Sequence, residues 1–147
     1  MGLKEKIDED IKSAMRAKEE LKLSALRMVK AAIGNAEIAK KKSFIDEDVF
    51  AILQTAVKQR KDSAEQFRAG NRPELAEKET AEIKILEAYL PTQLGEQELR
   101  ELVAKVVSET GAVGAKDTGK VMGKLMPLVK GKADGGLVNR LVREILK

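Results

Sequence analysis

The chain has 147 residues, with 28 Lys and Arg against 24 Asp and Glu, and no His, Cys or Trp. Without an imidazole or a thiolate, Ser-His-Asp and Cys-His catalysis, disulfides and the usual zinc sites are excluded. Hydrophobic residues at 43%, charged ones at 35% and aromatics at only 3% describe amphipathic helices rather than strands or a disordered chain, so the expected fold is all-α.

The first thirty residues are charged throughout and hold no apolar run of signal-peptide or membrane-span length. On that ground a cytoplasmic protein with no membrane partner is expected. From Leu3 onward, Leu3, Ile7, Ile11 and Ala14 recur at steps of four and three, which gives a first helix one apolar face. A second helix follows from about Lys22 through Leu26, Val29, Ile33 and Ala36 to the basic run Lys40 to Lys42, where lysines complement the helix dipole. Asp46 is the expected N-cap of a third helix, with Ile45 and Phe50 at the staple positions and Val49, Leu53, Ala56, Val57, Ala64 and Phe67 along its stripe. Gly70 and Asn71 stop it, and Pro73 opens a fourth helix through Leu75, Glu79, Ile83, Leu86 and Leu90.

Pro91 ends that helix and is the expected domain boundary, separating a longer helical N-terminal domain (1–90) from a small three-helix C-terminal domain (91–147). In the tail, Leu99, Leu102, Val103, Val106 and Val107 follow helical spacing, and Gly111 closes that helix. Asp117 is the expected cap of a short helix carrying Val121, Met122, Leu125 and Met126, which Pro127 ends or kinks. Asp134 is the expected cap of the last, with Leu137, Val138, Leu141, Val142, Ile145 and Leu146 on one side.

Residues Gly114 to Lys120 read G-A-K-D-T-G-K and match the first seven positions of a phosphate-binding P-loop. Val121 stands where the loop needs a hydroxyl for magnesium, and the preceding segment is helical rather than a strand, so a helix-loop-helix turn is expected and no cofactor. The acidic clusters offer no metal site or acid-base pair either. Asp46, Glu47 and Asp48 suit a cap and first turn, while Glu74, Glu77, Glu79 and Glu82 suit the outer face of the fourth helix.

Charge is more informative. Residues 1–110 carry 20 basic and 21 acidic side chains, whereas 111–147 carry 8 basic and 3 acidic, so the whole positive excess lies in the tail. A concentrated basic surface attracts polyanions, and phosphate contacts supply sequence-independent affinity for nucleic acid. An ordinary lysine-rich solvated face explains the same count. No aromatic residue follows Tyr89, which leaves backbone and shape recognition of a folded RNA rather than base stacking. The helix starts near Thr118 and Gly135 are candidate anion positions on the same grounds.

The run Lys58-Gln59-Arg60-Lys61-Asp62-Ser63-Ala64-Glu65-Gln66-Phe67, then Ala69-Gly70-Asn71-Arg72, Glu82-Ile83 and Leu86-Glu87-Ala88-Tyr89-Leu90-Pro91 with Gln93-Leu94, resembles the YqeY family. So do Gly119-Lys120-Val121-Met122-Gly123, Lys130-Gly131-Lys132-Ala133-Asp134, Leu137-Val138-Asn139 and the early Leu23-Ser24-Ala25-Leu26-Arg27, which together cover essentially the whole chain. Gly95, where a Ser or Thr cap is common, and Lys22, where an Arg is common, are mild departures.

The resemblance implies a two-part all-helical protein whose tail is similar to the C-terminal domain of the B subunit of the tRNA-dependent amidotransferase. In that complex the tail contacts tRNA, and a related domain is appended to some glutaminyl-tRNA synthetases. Family labels extend a glutamine-dependent carbon-nitrogen ligase activity to the stand-alone proteins. That chemistry needs a nucleotide-and-metal site and a serine amidase, and neither is visible in this sequence. The expectation is therefore a non-catalytic module that binds tRNA, or a tRNA-handling enzyme, through Lys120, Lys124, Lys130, Lys132, Asn139, Arg140 and Arg143. The alternative is a protein-protein adaptor whose N-terminal helices expose Arg27, Lys30, Lys58, Arg60 and Arg68 to an acidic partner.

Overall fold

The apolar stripes close into helices that pack in two separate groups. The computed structural model describes residues 2–147, and the chain divides into two units, Met1–Pro91 and Thr92–Lys147. The first contains α1 (Leu3–Ala17), α2 (Glu20–Lys40), α3 (Asp46–Ala69) and α4 (Pro73–Glu87). The second contains α5 (Glu96–Thr110), a 3-10 turn (Ala115–Asp117), α6 (Thr118–Val129) and α7 (Gly135–Ile145). The described residues form no strand, and none of their helices is long and apolar enough to cross a membrane.

In the first unit, the i, i+4 stripe of α1 buries Ile7 and Ile11 against Leu26 and Val29 of α2, Val49 and Leu53 of α3 and Leu86 of α4. Truncating any one of the fully buried leucines to alanine costs about 2–5 kcal/mol. The connections differ from their sequence expectations in informative ways. Phe44, not Ile45, is the residue buried ahead of α3; Ile45 is exposed. Asp46 does not cap its own helix, because its Oδ1 accepts the Leu3 N–H at 2.9 Å and so serves the start of α1. Asp48 takes over at α3, its Oδ2 accepting the Ile45 N–H at 3.0 Å. Asn71 rather than Gly70 takes the left-handed conformation after α3, and Lys18 and Lys41 do the same after α1 and α2.

Two charges expected on the surface are buried between α3 and α4. Arg60 and Glu82 are each less than a tenth exposed, with Arg60 Nε donating to Glu82 Oε2 at 3.0 Å across α3 and α4. Arg60 Nη1 also donates to the Ala56 carbonyl, and Nη2 reaches the Met28 sulfur. The placement of Glu82 on the outer face of α4 is therefore corrected. Its carboxylate points into the bundle, because only there does the guanidinium of α3 satisfy it. Near the end of α4, the Tyr89 hydroxyl donates to Asp10, and burial, aided by that carboxylate, pushes the phenol well above its ordinary range.

The second unit buries Leu99, Val103 and Val106 of α5 against Val121, Leu125 and Val129 of α6 and Val138, Leu141 and Val142 of α7. Gly111 ends α5 with φ +70°, the conformation a C′ glycine supplies. Asp134 caps α7, its Oδ2 accepting the Leu137 N–H at 3.1 Å. The Asp117 carboxylate instead accepts the Val113 N–H, closing the loop before α6. Pro127 lies inside α6 without ending it, near the helix's last turn. Its missing N–H releases the carbonyl of Gly123, a residue that is solvent-exposed.

Candidate nucleic-acid interface

The basic residues of the second unit belong to two structural groups. Lys120 and Lys124 are one turn apart on α6, and Lys130 and Lys132 lie on the turn that joins α6 to α7; all four side chains are exposed. That turn is built rigidly. Gly131 takes φ +77°, a conformation that disfavours any side chain, and it is buried. The chain before α5 runs alongside it, with Gln93 Nε2 donating to the Gly131 carbonyl at 2.7 Å and Leu94 N–H donating to the Lys132 carbonyl at 2.9 Å. Two lysines are thus displayed on a turn whose carbonyls at Gly131 and Lys132 are bonded by the chain before α5.

Asn139, Arg140 and Arg143 come together elsewhere, on α7. With Gly136, Glu144 and Lys147 they line an open groove of about 410 Å³, at the i, i+3, i+4, i+7, i+8, i+11 spacing of one helix face. Of the seven residues expected to bind nucleic acid, this groove gathers three. Lys147, which also lines the groove, was not among the expected residues, although its helical spacing from Asn139, Arg140 and Arg143 is visible in the sequence.

Pairing divides the seven further. Arg140 Nη2 lies 3.0 Å from Glu96 of α5, Arg100 Nη1 lies 3.3 Å from Glu144 of α7, and the contacts Arg100–Glu96 and Arg140–Glu144 close a four-membered ring of alternating charge. Lys124 pairs with Glu109 at 2.9 Å, and its hydrogen bond and charge hold the Glu109 carboxyl below the ordinary carboxylate range. Among the described residues, Lys120, Lys132, Arg143 and Lys147 make no such ion pair. Counting the acids of α5, the second unit carries 10 basic and 7 acidic side chains, so the excess of residues 111–147 is partly neutralised by the helix packed against them.

The surface expected of an adaptor is less coherent. Arg60 is buried rather than exposed, since the Val57, Arg60, Ala64 spacing places it on the inner stripe of α3. Lys30 pairs with Asp8 at 2.8 Å, and Arg68 donates to the Thr80 hydroxyl. Arg27 is exposed, and so is Lys58.

The P-loop-like run also resolves. Gly114 to Lys120 forms the 3-10 turn and the first residues of α6, with Thr118 Oγ1 donating to the Ala115 carbonyl at 2.7 Å. Its hydroxyl is engaged in closing the turn, and no strand precedes it among the described residues.

Comparison with known proteins covers nearly the whole chain. A family model described as Yqey-like protein matches residues 4–146. The chain is similar to proteins named "Altered inheritance of mitochondria protein 41, mitochondrial". The one from Pyrenophora tritici-repentis is 34% identical over 145 residues, covering 96% of this chain and 79% of that protein. The one from Vanderwaltozyma polyspora is 36% identical over 124 residues, covering 80% and 65%. The one from Kluyveromyces lactis is 42% identical over 105 residues, covering 69% and 55%, so the match spans little more than half of that relative. Their shared name corrects the expectation of a cytoplasmic protein. That expectation rested on the lack of an apolar run, whereas mitochondrial targeting segments are amphipathic and Arg-rich, so an apolar search does not test for them. The motifs that spread from Leu23 to Asn139 and the match over residues 4–146 agree: the chain belongs to the YqeY family.

Proposed function

We propose that this protein is a non-catalytic RNA-binding module whose second unit grips the backbone of folded tRNA, alone or alongside a tRNA-handling enzyme. The observation that carries it is the groove along α7, lined by Arg143 and by Lys147 just past the helix, neither of which makes an ion pair among the described residues. Lys120, Lys130 and Lys132 add further exposed cations on α6 and the following turn. The second unit contains no aromatic side chain, which favours phosphate and shape recognition over stacked single strands. The kinship with the amidotransferase B subunit's tail that the family resemblance implies makes tRNA the first RNA to try. Lys124 and Arg140 act mainly within the fold, each held by a carboxylate of α5.

The test is tRNA binding by the full chain and by Lys120→Ala/Lys132→Ala/Arg143→Ala over a range of salt concentrations. Each phosphate neutralised contributes roughly −0.7 to −0.9 to the slope of log K against log salt, so the triple variant loses about two units of slope along with affinity. No binding at low salt, or binding indifferent to salt, overturns the proposal. Turnover of ATP or glutamine by the pure chain overturns its non-catalytic part.

A further inference from the structure

The guanidinium of Arg60 reaches three helices. Nε donates to Glu82 of α4 at 3.0 Å, Nη1 to the Ala56 carbonyl of α3 at 3.0 Å, and Nη2 to the Met28 sulfur of α2 at 3.6 Å. The first two acceptors are oxygens, which suit a cation. The third is a thioether, among the weakest acceptors a side chain offers. The contact to α2 is therefore the weak one, on an arginine only 6% exposed, where a poorly satisfied donor is costly. Met28 differs from its partner in burial: 58% of its surface is open to solvent, whereas Met122 and Met126 of the second unit pack against that unit's core. A methionine so exposed is open to oxidants, and oxidation supplies the oxygen that Arg60 lacks on its α2 side.

We propose that Met28 is a site of reversible oxidation by hydroperoxides, and that its sulfoxide strengthens the first unit instead of disrupting it. A sulfur lone pair attacks the terminal peroxide oxygen, and the S–O bond forms as the O–O bond breaks. The displaced oxygen takes the proton of the attacked one and leaves as water from hydrogen peroxide, or as an alcohol from an alkyl hydroperoxide. Sulfur gives up two electrons and the peroxide accepts them; a sulfoxide reductase restores the thioether. Sulfoxides usually destabilise because they put a polar group into an apolar core. That cost is absent at an exposed position, and the gain is an oxygen acceptor for a charged donor. The flexible, exposed side chain draws back by the length of the added bond and sets the oxygen against Nη2. The product ties α2 to the Arg60–Glu82 pair through a stronger bond than the thioether makes. This inference is independent of RNA binding by the second unit.

The experiment treats the full chain with hydrogen peroxide and follows each methionine by peptide mass spectrometry. Met28 is expected to oxidise alongside Met15, which is 52% exposed, and several times faster than Met122 and Met126. Urea unfolding of the first unit, read by Tyr89 fluorescence, is then compared before and after treatment. The wild-type midpoint is expected to rise by about 0.5 M, the size of one hydrogen bond at an ordinary urea dependence, and to return after treatment with sulfoxide reductase. Met28→Leu takes the same oxidation at Met15, and its midpoint is expected not to move. Arg60→Met/Glu82→Met keeps Met28 and loses the guanidinium, so the rise is expected to vanish there too. A wild-type midpoint that falls or stays level when Met28 is oxidised overturns the proposal. So does an equal rise in either variant, or a Met28 that resists peroxide as Met122 and Met126 do.

Discussion

Replacing Arg60 by Met should unfold the first unit far more readily than its position on a long, polar helix suggests. Methionine fills much of the same volume, so the perturbation is mainly the loss of the charge and its donors. Glu82 then keeps its carboxylate in a site less than a tenth exposed, with the 3.0 Å Arg60 Nε contact gone. Removing one partner of a buried ion pair costs about 3–5 kcal/mol, because the survivor stays desolvated and unpaired. Against a typical domain stability of about 5–15 kcal/mol this is a large share. At a urea dependence of about 2 kcal/mol per molar, the midpoint falls by about 1.5–2.5 M. Tyr89 is the sole tyrosine in a chain without tryptophan, and it is packed in the first unit, so its fluorescence follows that unit alone. The companion variant Arg60→Met/Glu82→Met should recover most of the loss, since burying two apolar side chains removes the stranded charge as well as the attraction. A single substitution costing under about 1 kcal/mol, or a double variant as weak as the single one, would refute the assignment of this pair as a buried and mutually dependent charge couple.

Two further outcomes follow from the same structure. Glu37 accepts from Lys4 Nζ at 2.8 Å and from the Phe44 N–H at 2.7 Å, and these bonds hold its carboxyl below the usual 4.5. A depressed carboxyl contributes stability that is complete above its unfolded value and is lost as pH falls through the lower folded one. Urea midpoints read by Tyr89 should therefore drop below about pH 4.5 in the wild type and less steeply in Glu37→Gln; parallel profiles would contradict this. In the second unit, Gly131→Ala forces a side chain into φ +77° and should cost about 1–2 kcal/mol in a thermal melt followed by circular dichroism, with amide exchange quickening at Leu94 as its bond to Lys132 loosens.

Apolar spacing foretold the helices, since the stripes from Ile7 to Leu141 bury the side that their period of 3.6 assigns, Ile145 at the end of the last stripe being the exposed exception. Where it failed, the cause was a partner far away in sequence. Arg60 continues the Val57 to Ala64 stripe at steps of three and four, so the spacing contained the signal, but a charge there reads as a gap until Glu82 is seen 22 residues on. Asp46 has the chemistry of a cap for its own helix and spends it on Leu3, 43 residues earlier. The candidate site was legible as a count of charges and not as an arrangement. Glu96 and Glu109 lie outside the basic tail in sequence and against it in space, and each withdraws one cation from the surface that the count had assigned to RNA.

Arg140 and Arg143 show why that difference matters. They are three residues apart on one helix and border the same groove. Arg140 reaches back to α5, where Glu96 holds it while Arg100 reciprocates with Glu144. Each pair is about half exposed, so any one contact contributes little, but the ring constrains four long side chains at once. Its members balance, two positive against two negative, and the ring offers a polyanion no net attraction. Arg143 has no such claim on it and projects from a helix whose orientation the ring helps to fix. An incoming phosphate can therefore engage Arg143 and Lys147 without breaking an existing ion pair, whereas engaging Arg140 means competing with Glu96 and Glu144. The wall of the groove and its open charges are thus different residues, and in the proposed complex only the second kind would add to the salt dependence of binding.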